Sequence, residues 1–418
     1  MNSTGALIKI AYRNIWRNRR RTLFCLTAVG FAVFFIAFYS AFTDGLTRNI
    51  NDIVQIFDTG HVRVVSVEFD GDNEFLPVQF PVSHGENVES LTARVRTIPG
   101  VRAVLPRIET FASLHESTVK HAMLWGLNVE DEIALNNFNL INRNSGLVEG
   151  HWPRAGSNDA AVGWSFARRT GLSVGDFIPL STMSAQFSDR PWEPRVTGIF
   201  AFDYMRFDDN YIIVDFERLQ RLLVLDGATQ QLVIFAYDER LSSTVAAQVQ
   251  TMLGGEGNVV RDWRDNFWVA VLQMARPIYM LVYLIFLVVA CLLIINTVVM
   301  IIHERIKEIG MMGSLGMTRR EIVTVFFFES VFMSAIGAFA GIVLGGIVTG
   351  VGQFFPLRWT DLTGNTFAEF PAGDAVFLEF NVVSLVRSWV LGVVVASVFT
   401  LIPSLKSAFV EPVEALRR

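Results

Sequence analysis

Residues Pro277 to Gly350 read PIYMLVYLIFLVVACLLIINTVVMIIHERIKEIGMMGSLGMTRREIVTVFFFESVFMSAIGAFAGIVLGGIVTG. An apolar run, a compact charged segment and a second apolar run follow one another here. The first run, Ile278 to Ile302, carries no Asp, Glu, Lys or Arg over 25 residues. As a helix rising 1.5 Å per residue it would extend roughly 37 Å, enough to cross a hydrocarbon core of about 30 Å with some tilt. The second run, Ile322 to Val351, has Glu329 as its single ionisable residue. It is punctuated by Gly337, Gly341, Gly345, Gly346 and Gly350, a spacing suited to close helix packing in lipid. Both runs read as membrane spans.

Working outward, Thr22 to Phe42 is uncharged for 21 residues, and Val390 to Leu401 extends back through Phe380 to Trp389 with only Arg387 intervening. Four spans result: 22–43, 273–302 (including an outer stalk), 321–350 and 382–402. The first is longer than the apolar core of a signal peptide, and no small-residue cleavage pattern follows Ala41, so it reads as a retained helix. Composition agrees: 51% of residues are apolar and 18% charged, against about a quarter charged in soluble proteins. Cys25 and Cys291 both fall within spans, so no disulfide staples the part between the first two spans.

Orientation follows from basic residues close to the spans. Lys9, Arg13, Arg17, Arg19, Arg20 and Arg21 precede the first span without an acid, and Arg305, Lys307, Arg319 and Arg320 lie between the second and third. Residues 44–272 instead hold 19 basic and 30 acidic residues, a net charge of −11, and 351–381 hold one basic and four acidic residues. Both termini and the 303–320 segment are therefore expected in the cytoplasm. The 44–272 domain and the 351–381 segment are expected in the periplasm of a bacterial inner-membrane protein. Within residues 1–21, Leu7, Ile8, Ile10, Ala11, Ile15 and Trp16 can form one helical face opposite Lys9, Arg13, Arg17 and Arg20, the pattern of an interfacial elbow helix on an anionic leaflet. Residues 403–418 form a cytoplasmic tail.

Between the first and second spans the pattern alternates strands and helices. Strands are expected at 61–69, 101–108, 110–116, 119–127, 160–162, 195–200 and 230–237, and helices at 88–98, 164–170, 216–225 and 242–253. The fold class is thus an integral membrane α-helical protein with four transmembrane helices and a large α+β periplasmic domain between the first and second. That domain is expected in two lobes, with 128–195 inserted. Its acidic pairs and triples, Asp208-Asp209 and Glu130-Asp131-Glu132, read as turn or solvated residues.

No catalytic constellation emerges, and neither H-E-x-x-H nor G-x-S-x-G occurs. The four lysines, Lys9, Lys120, Lys307 and Lys406, all lie outside any G-x-x-x-x-G-K-[ST] pattern, so ATP binding by a P-loop is excluded for this sequence. A non-enzymatic subunit with no cofactor of its own is expected, and no nucleic-acid partner.

The 303–320 segment reads either as a solvated hairpin or as a docking element. Gly310 and Gly313 allow a change of direction, Ile309, Met311, Met312 and Leu315 offer a small apolar set, and Thr318 with Glu321 forms a capping box. The run from Glu304 through Ile322 resembles the R-x-K-E-I-G-x-x-x-x-x-G-x-x-x-x-x-I signature of the FtsX-like, MacB-type family of ABC transporter permeases, which includes the permeases of the lipoprotein-releasing complex. Ala11 to Asn18 is similar to that family's elbow, and Pro403 with Glu411 to Arg417 to its P-x-x-A-L-R ending. Ile98 to Val101, Val104 to Arg107, Leu147 to Trp152 and Gly171 to Asp176 are similar to its periplasmic core.

The resemblance implies a four-span subunit that pairs with a second copy or a paralogous permease. It would convert ATP-driven motion of a separate ABC ATPase into movement of the periplasmic domain, for lipoprotein release or export of another envelope substrate. ATPase coupling would fall to Glu304, Arg305, Lys307, Glu308, Ile309, Gly310, Met312, Leu315, Gly316, Arg319 and Arg320. Partners would include the lipid bilayer and a periplasmic carrier, adaptor or hydrolase. Glu329 is either an interhelical hydrogen-bonding residue or part of a conformational gate. MacB-type proteins carry an ATPase in the same chain and this sequence has none, so ATP is expected on a partner subunit. The alternative within the family is a transmembrane signalling protein that activates a periplasmic partner such as a cell-wall hydrolase. An ion-coupled transporter is disfavoured, since no inverted repeat is visible.

Overall fold

The computed structural model describes residues 5, 9, 11–13, 19–68, 78–82, 86–115, 117–135, 146–304, 311–312, 314, 316–355, 357–358 and 375–408. They form two compact units, one of Met1–Leu46, Ala275–Leu357 and Phe377–Arg418, the other of Thr47–Met274 and Arg358–Val376.

The chain begins with α1 (Arg19–Ile53), a π-helical turn (Val54–Thr59), β1 (Val62–Ser66), α2 (Val88–Arg96), β2 (Val101–Leu114), β3 (His121–Leu127) and α3 (Val129–Ala134). Next come β4 (Gly146–Gly150), β5 (Asp159–Gly163), α4 (Trp164–Thr170), β6 (Leu180–Met183), β7 (Asp189–Trp192) and β8 (Arg195–Ala201). Then follow α5 (Met205–Asn210), β9 (Tyr211–Asp215), α6 (Phe216–Leu222), β10 (Gln231–Ala236), α7 (Ser242–Leu253) and β11 (Asn258–Asp262). Three long helices follow, α8 (Phe267–Glu304), α9 (Arg319–Gly352) and α10 (Val382–Ala408), with a two-stranded sheet of β12 (Leu357–Arg358) and β13 (Ala375–Val376) between the last two in sequence.

In the first unit, α1, α8, α9 and α10 are each long and apolar enough to cross a membrane. All four run past the spans read from the sequence, because hydrophobicity marks where lipid begins whereas a helix ends where its caps and partners change. The α1 and α9 backbones meet through glycine. A Cβ at Gly341 would lie 2.3 Å from the Gly30 carbonyl oxygen, and one at Gly337 would lie 2.9 Å from the Leu26 carbonyl oxygen. Without a hydrophobic driving force between helices in lipid, such backbone approach supplies the dispersion contacts that hold spans together. Val29 and Val33 of α1, Ala338 of α9 and Ala396 of α10 form the small core beside it. The Trp389 indole N–H donates to the Ala335 carbonyl at 3.2 Å, tying α10 to α9. Of the elbow, Ala11 is buried, Lys9 and Arg13 are exposed, and Tyr12 packs edge-on against Phe332. The rest of its two faces lies outside the described residues, as do residues 409–418.

In the second unit eleven strands form one sheet, in the order β11-β1-β10-β2-β3-β9-β5-β8-β4, with β6 pairing β2 and β7 off this path. Pairing is antiparallel except for β3 with β9 and β5 with β8. Residues 128–195, expected as an inserted lobe, are woven into this sheet instead. Their strands β5 and β6 pair with β9, β8 and β2, which lie largely outside that segment. The two strands expected at 101–108 and 110–116 are one 14-residue strand. Its first half pairs with β10 and its second half with β3 and β6, so Pro106 sits where only one neighbour needs a ladder. The large core beside the sheet gathers Leu91 and Val95 of α2, Leu219 of α6 and Val245 and Val249 of α7 onto Val104, Ile108, Leu124, Ile212 and Ile234. A second core is aromatic and includes Ile53, Ile56 and Phe57 from the end of α1 and the turn after it.

Candidate functional site

Among the proposed coupling residues, Arg305, Lys307, Glu308, Ile309, Gly310 and Leu315 lie outside the described residues. Glu304 is the last residue of α8, and Met312, Gly316, Arg319 and Arg320 are described. Gly316 has φ +90°, a backbone that favours glycine, and the turn around it closes with Met317 N–H donating to the Met312 carbonyl at 3.2 Å. Thr318 then caps α9. The Glu321 carboxylate accepts from the Thr318 N–H at 2.9 Å and from its hydroxyl at 2.8 Å, while the Thr318 Oγ1 accepts from the Glu321 N–H at 3.4 Å. Met312 and Met317 are half-buried against Ile322 and Phe326. This packing turns the methionines inward and leaves Arg319 and Arg320 exposed in the first helical turn. Two cations at a helix N-terminus work against its dipole, and Glu321 in the same turn works with it.

Glu329 is 2% exposed on the packed face of α9, one residue from Ser330, and it is not without a polar partner. The position fits either an interhelical hydrogen bond or a gate.

The second unit holds a socket that sequence reasoning missed. Three successive residues of the π-helical turn are each anchored. The Ile56 carbonyl accepts from Arg107 Nη1 at 2.8 Å. Phe57 sits among Phe207, Phe202, Trp125 and Tyr204, with ring centroids 4.3 to 5.9 Å away. Asp58 accepts from Arg63 Nη1 at 2.9 Å and from Asn266 Nδ2 at 2.6 Å. Asn266 in turn accepts from the Trp268 N–H at 2.9 Å and so caps the start of α8. Arg107 is fully buried, forks onto Glu132 at 2.7 and 2.9 Å, and lies 5.1 Å above the Trp125 ring.

Two acidic residues expected to be solvated are therefore not. Glu132 is 1% exposed because α3 turns it inward to Arg107, leaving the apolar Ile133 outside. Asp208 is 3% exposed, its Oδ1 accepting from the Phe202 N–H at 2.9 Å. Burial pushes the Asp208 carboxyl up to about 7 and Asp203 and Asp209 add to this, while the N–H groups of Phe202 and Asp203 pull the other way. Burial also raises Glu109, although the hydrogen bond from the Tyr211 hydroxyl opposes it. No sequence signal pointed to the burial of Glu132 or of Asp208. Among the described residues no group of three or more His, Cys, Asp or Glu is placed to hold a metal ion.

Comparison with known proteins adds the context that geometry lacks. Residues 22–252 match the MacB-like periplasmic core domain and residues 280–412 the FtsX-like permease C-terminal region. The chain is 24% identical over 339 residues to the lipoprotein-releasing system transmembrane protein LolC of Xylella fastidiosa, covering 78% of this chain and 80% of that protein. It is 27% identical over 193 residues to the macrolide export ATP-binding/permease protein MacB of Hahella chejuensis, covering 44% of this chain and 27% of that protein. Among solved structures it is similar to the extracellular domain of the noncanonic ABC-type transporter YknZ from Gram-positive bacteria. That similarity has 14% identity and a TM-score of 0.32, over 48% of this chain and 99% of that one. With both the segment between the first two spans and the last three spans accounted for, the chain belongs to the FtsX-like ABC transporter permeases that carry a MacB-like periplasmic core domain.

Proposed function

We propose that this permease is a non-catalytic transmembrane subunit that docks a separate ABC ATPase through residues 304–320 and passes its motion to the periplasmic-type domain. The cargo in this reading is a lipoprotein or another envelope substrate that leaves the outer leaflet of the inner membrane. Both termini and the docking segment face the cytoplasm, and the domain of residues 44–272 faces the periplasm, with a second copy or a paralogous permease completing the pair. The similarity to LolC over most of both chains supports the lipoprotein class. The observation that carries the docking reading is the exposed Arg319-Arg320 pair, held by the Thr318–Glu321 cap where the helix dipole disfavours cations. An acidic rim on a partner offsets that cost.

The test is purification of the full chain from its native membranes, with the ATPase that accompanies it, followed by ATP hydrolysis in nanodiscs. The double variants Arg319→Glu/Arg320→Glu and Ile309→Asp/Leu315→Asp should insert normally yet lose ATPase recovery and stimulation about tenfold, equivalent to about 1.4 kcal/mol of docking energy. Undiminished recovery and stimulation with both variants would remove the docking assignment.

A further inference from the structure

Arg387 is a charge inside a span that the proposed coupling role does not use. It lies five residues into α10, about 7.5 Å along the helix from Val382. It is exposed, and so are Val383, Val386 and Val390 around it, so the guanidinium stands on a surface suited to acyl chains. Among the described residues it makes no hydrogen bond or ion pair. Asp44 of α1, which reaches α10 at Ser384, accepts instead from the Ser40 hydroxyl at 3.4 Å and the Ser384 hydroxyl at 3.3 Å. One turn deeper a crevice opens between α8 and α10 over α1, lined by apolar residues that include Ala32, Ile36, Leu287, Leu391, Gly392 and Val395. Each of the three helices sets a polar head above it. Arg387 comes four residues before Leu391, Tyr283 four before Leu287, and Tyr39 three after Ile36, so each shares a helical face with a crevice residue. The register of α1 on α8 is fixed by the Tyr39 hydroxyl, which donates to the Tyr279 carbonyl at 3.2 Å, and by the Phe35 and Phe286 rings, stacked with centroids 6.1 Å apart. Arg387 and Tyr283 lie within electrostatic reach of each other.

We propose that this crevice holds a glycerophospholipid of the surrounding bilayer: its phosphate pairs with the Arg387 guanidinium beside the Tyr283 hydroxyl, and one acyl chain lies in the crevice below. The leaflet is the one at which α1 continues into the second unit, since α1 meets α8 through Tyr39 and α10 through Asp44 near that end. The site lies within one subunit and depends neither on ATPase docking nor on the cargo.

Charge selects the occupant. A cation among apolar side chains within a span is costly without an anion. In the second turn of a helix that enters the bilayer, the anion at hand is lipid phosphate, which the long arginine side chain reaches by extending towards the interface. The guanidinium presents two parallel N–H donors to phosphate oxygens, and tyrosine is a side chain enriched at that depth. A neutral lipid would fill the crevice and leave Arg387 without its counter-charge. An acid on a second copy of the chain would supply the counter-charge but put protein where the acyl chain lies.

The experiment titrates the full chain in detergent micelles with phosphatidylglycerol that carries a diazirine in one acyl chain. After irradiation the labelled residues are read by mass spectrometry. Labels should saturate and should concentrate on Leu287 and on residues 391–395. Arg387→Gln should raise the half-saturating concentration at least about tenfold, the loss expected for hydrogen bonds to a charged group. Arg387→Lys, which keeps the charge without the fork, should fall between the two. Leu391→Trp fills the crevice and keeps the cation. It should also cut labelling strongly, so the proposal stays testable if Arg387→Gln disturbs insertion. A diacylglycerol with the same diazirine chain and no phosphate should bind the wild type as weakly as phosphatidylglycerol binds Arg387→Gln. Labels spread evenly over the exposed faces of α8 and α10, a half-saturating concentration that Arg387→Gln leaves unchanged, or crosslinks from these positions to a second copy in place of lipid would overturn the site.

Discussion

Replacing Glu132 by glutamine tests the socket at its most buried contact. Arg107 is 0% exposed and its guanidinium has three anchors: the two carboxylate oxygens of Glu132 at 2.7 and 2.9 Å, the Ile56 carbonyl at 2.8 Å, and the Trp125 ring. Glutamine keeps the shape and one acceptor but leaves the cation without its counter-charge, which in a buried pair costs about 3–5 kcal/mol. For a unit of this size each kcal/mol lowers the midpoint by about 2–4 °C, so thermal unfolding of the domain should fall by about 6–20 °C. The double variant Arg107→Met/Glu132→Leu removes both charges. It should regain most of that loss, short of about 1–3 kcal/mol for the Ile56 carbonyl left without its donor. The assay is limited proteolysis of the full chain across a temperature ramp, read on fragments from residues 101–135. A Glu132→Gln midpoint within 3 °C of wild type, or a double variant as unstable as the single, would refute the claim that the pair is electrostatically closed.

Two other expectations rest on separate parts of the chain. Gly341→Val places a side chain where a Cβ would meet the Gly30 carbonyl at 2.3 Å, so α1 and α9 must part; disulfide trapping between the native Cys25 and a cysteine introduced at Met333, which packs against it, should fall well below the level in the parent Met333→Cys chain. Asn266→Ala removes both the cap on α8, worth about 1 kcal/mol, and the hydrogen bond to the Asp58 carboxylate, worth about 1.5–3 kcal/mol, so amides of 267–270 should exchange faster at constant pH.

The four spans were legible because in lipid each helix must be apolar along its whole length, a signal that needs no knowledge of partners. Within the domain, two helices that end at a glycine match their expected limits: α4, stopped at Gly171, and α7, stopped at Gly254. β9 was not seen, although all five of its residues are buried at the centre of the sheet. Its run Tyr-Ile-Ile-Val lies between Asn210 and Asp215 and is too short to show a period, and only its neighbours β3 and β5 give it a place. The same holds for the socket. Arg107 and Glu132 are 25 residues apart and Asp58 and Asn266 are 208 apart, so nothing local joins these partners before the fold brings them alongside. The Thr318–Glu321 cap was legible for the opposite reason: it is made within four consecutive residues.

The π-helical turn at Val54–Thr59 has a consequence for chain length. Each residue added to or removed from a helix rotates everything beyond it by about 100°. Ile56, Phe57 and Asp58 present their carbonyl, ring and carboxylate to three different partners in three consecutive positions. Removing one residue would tighten the turn toward an ordinary α-helix, yet would swing the ring off its aromatic neighbours and the carboxylate off Asn266. Side chains at this junction can therefore be exchanged one at a time, but the count of residues between Ile53 and Gly60 is fixed, as the number of teeth is fixed in a gear that must mesh.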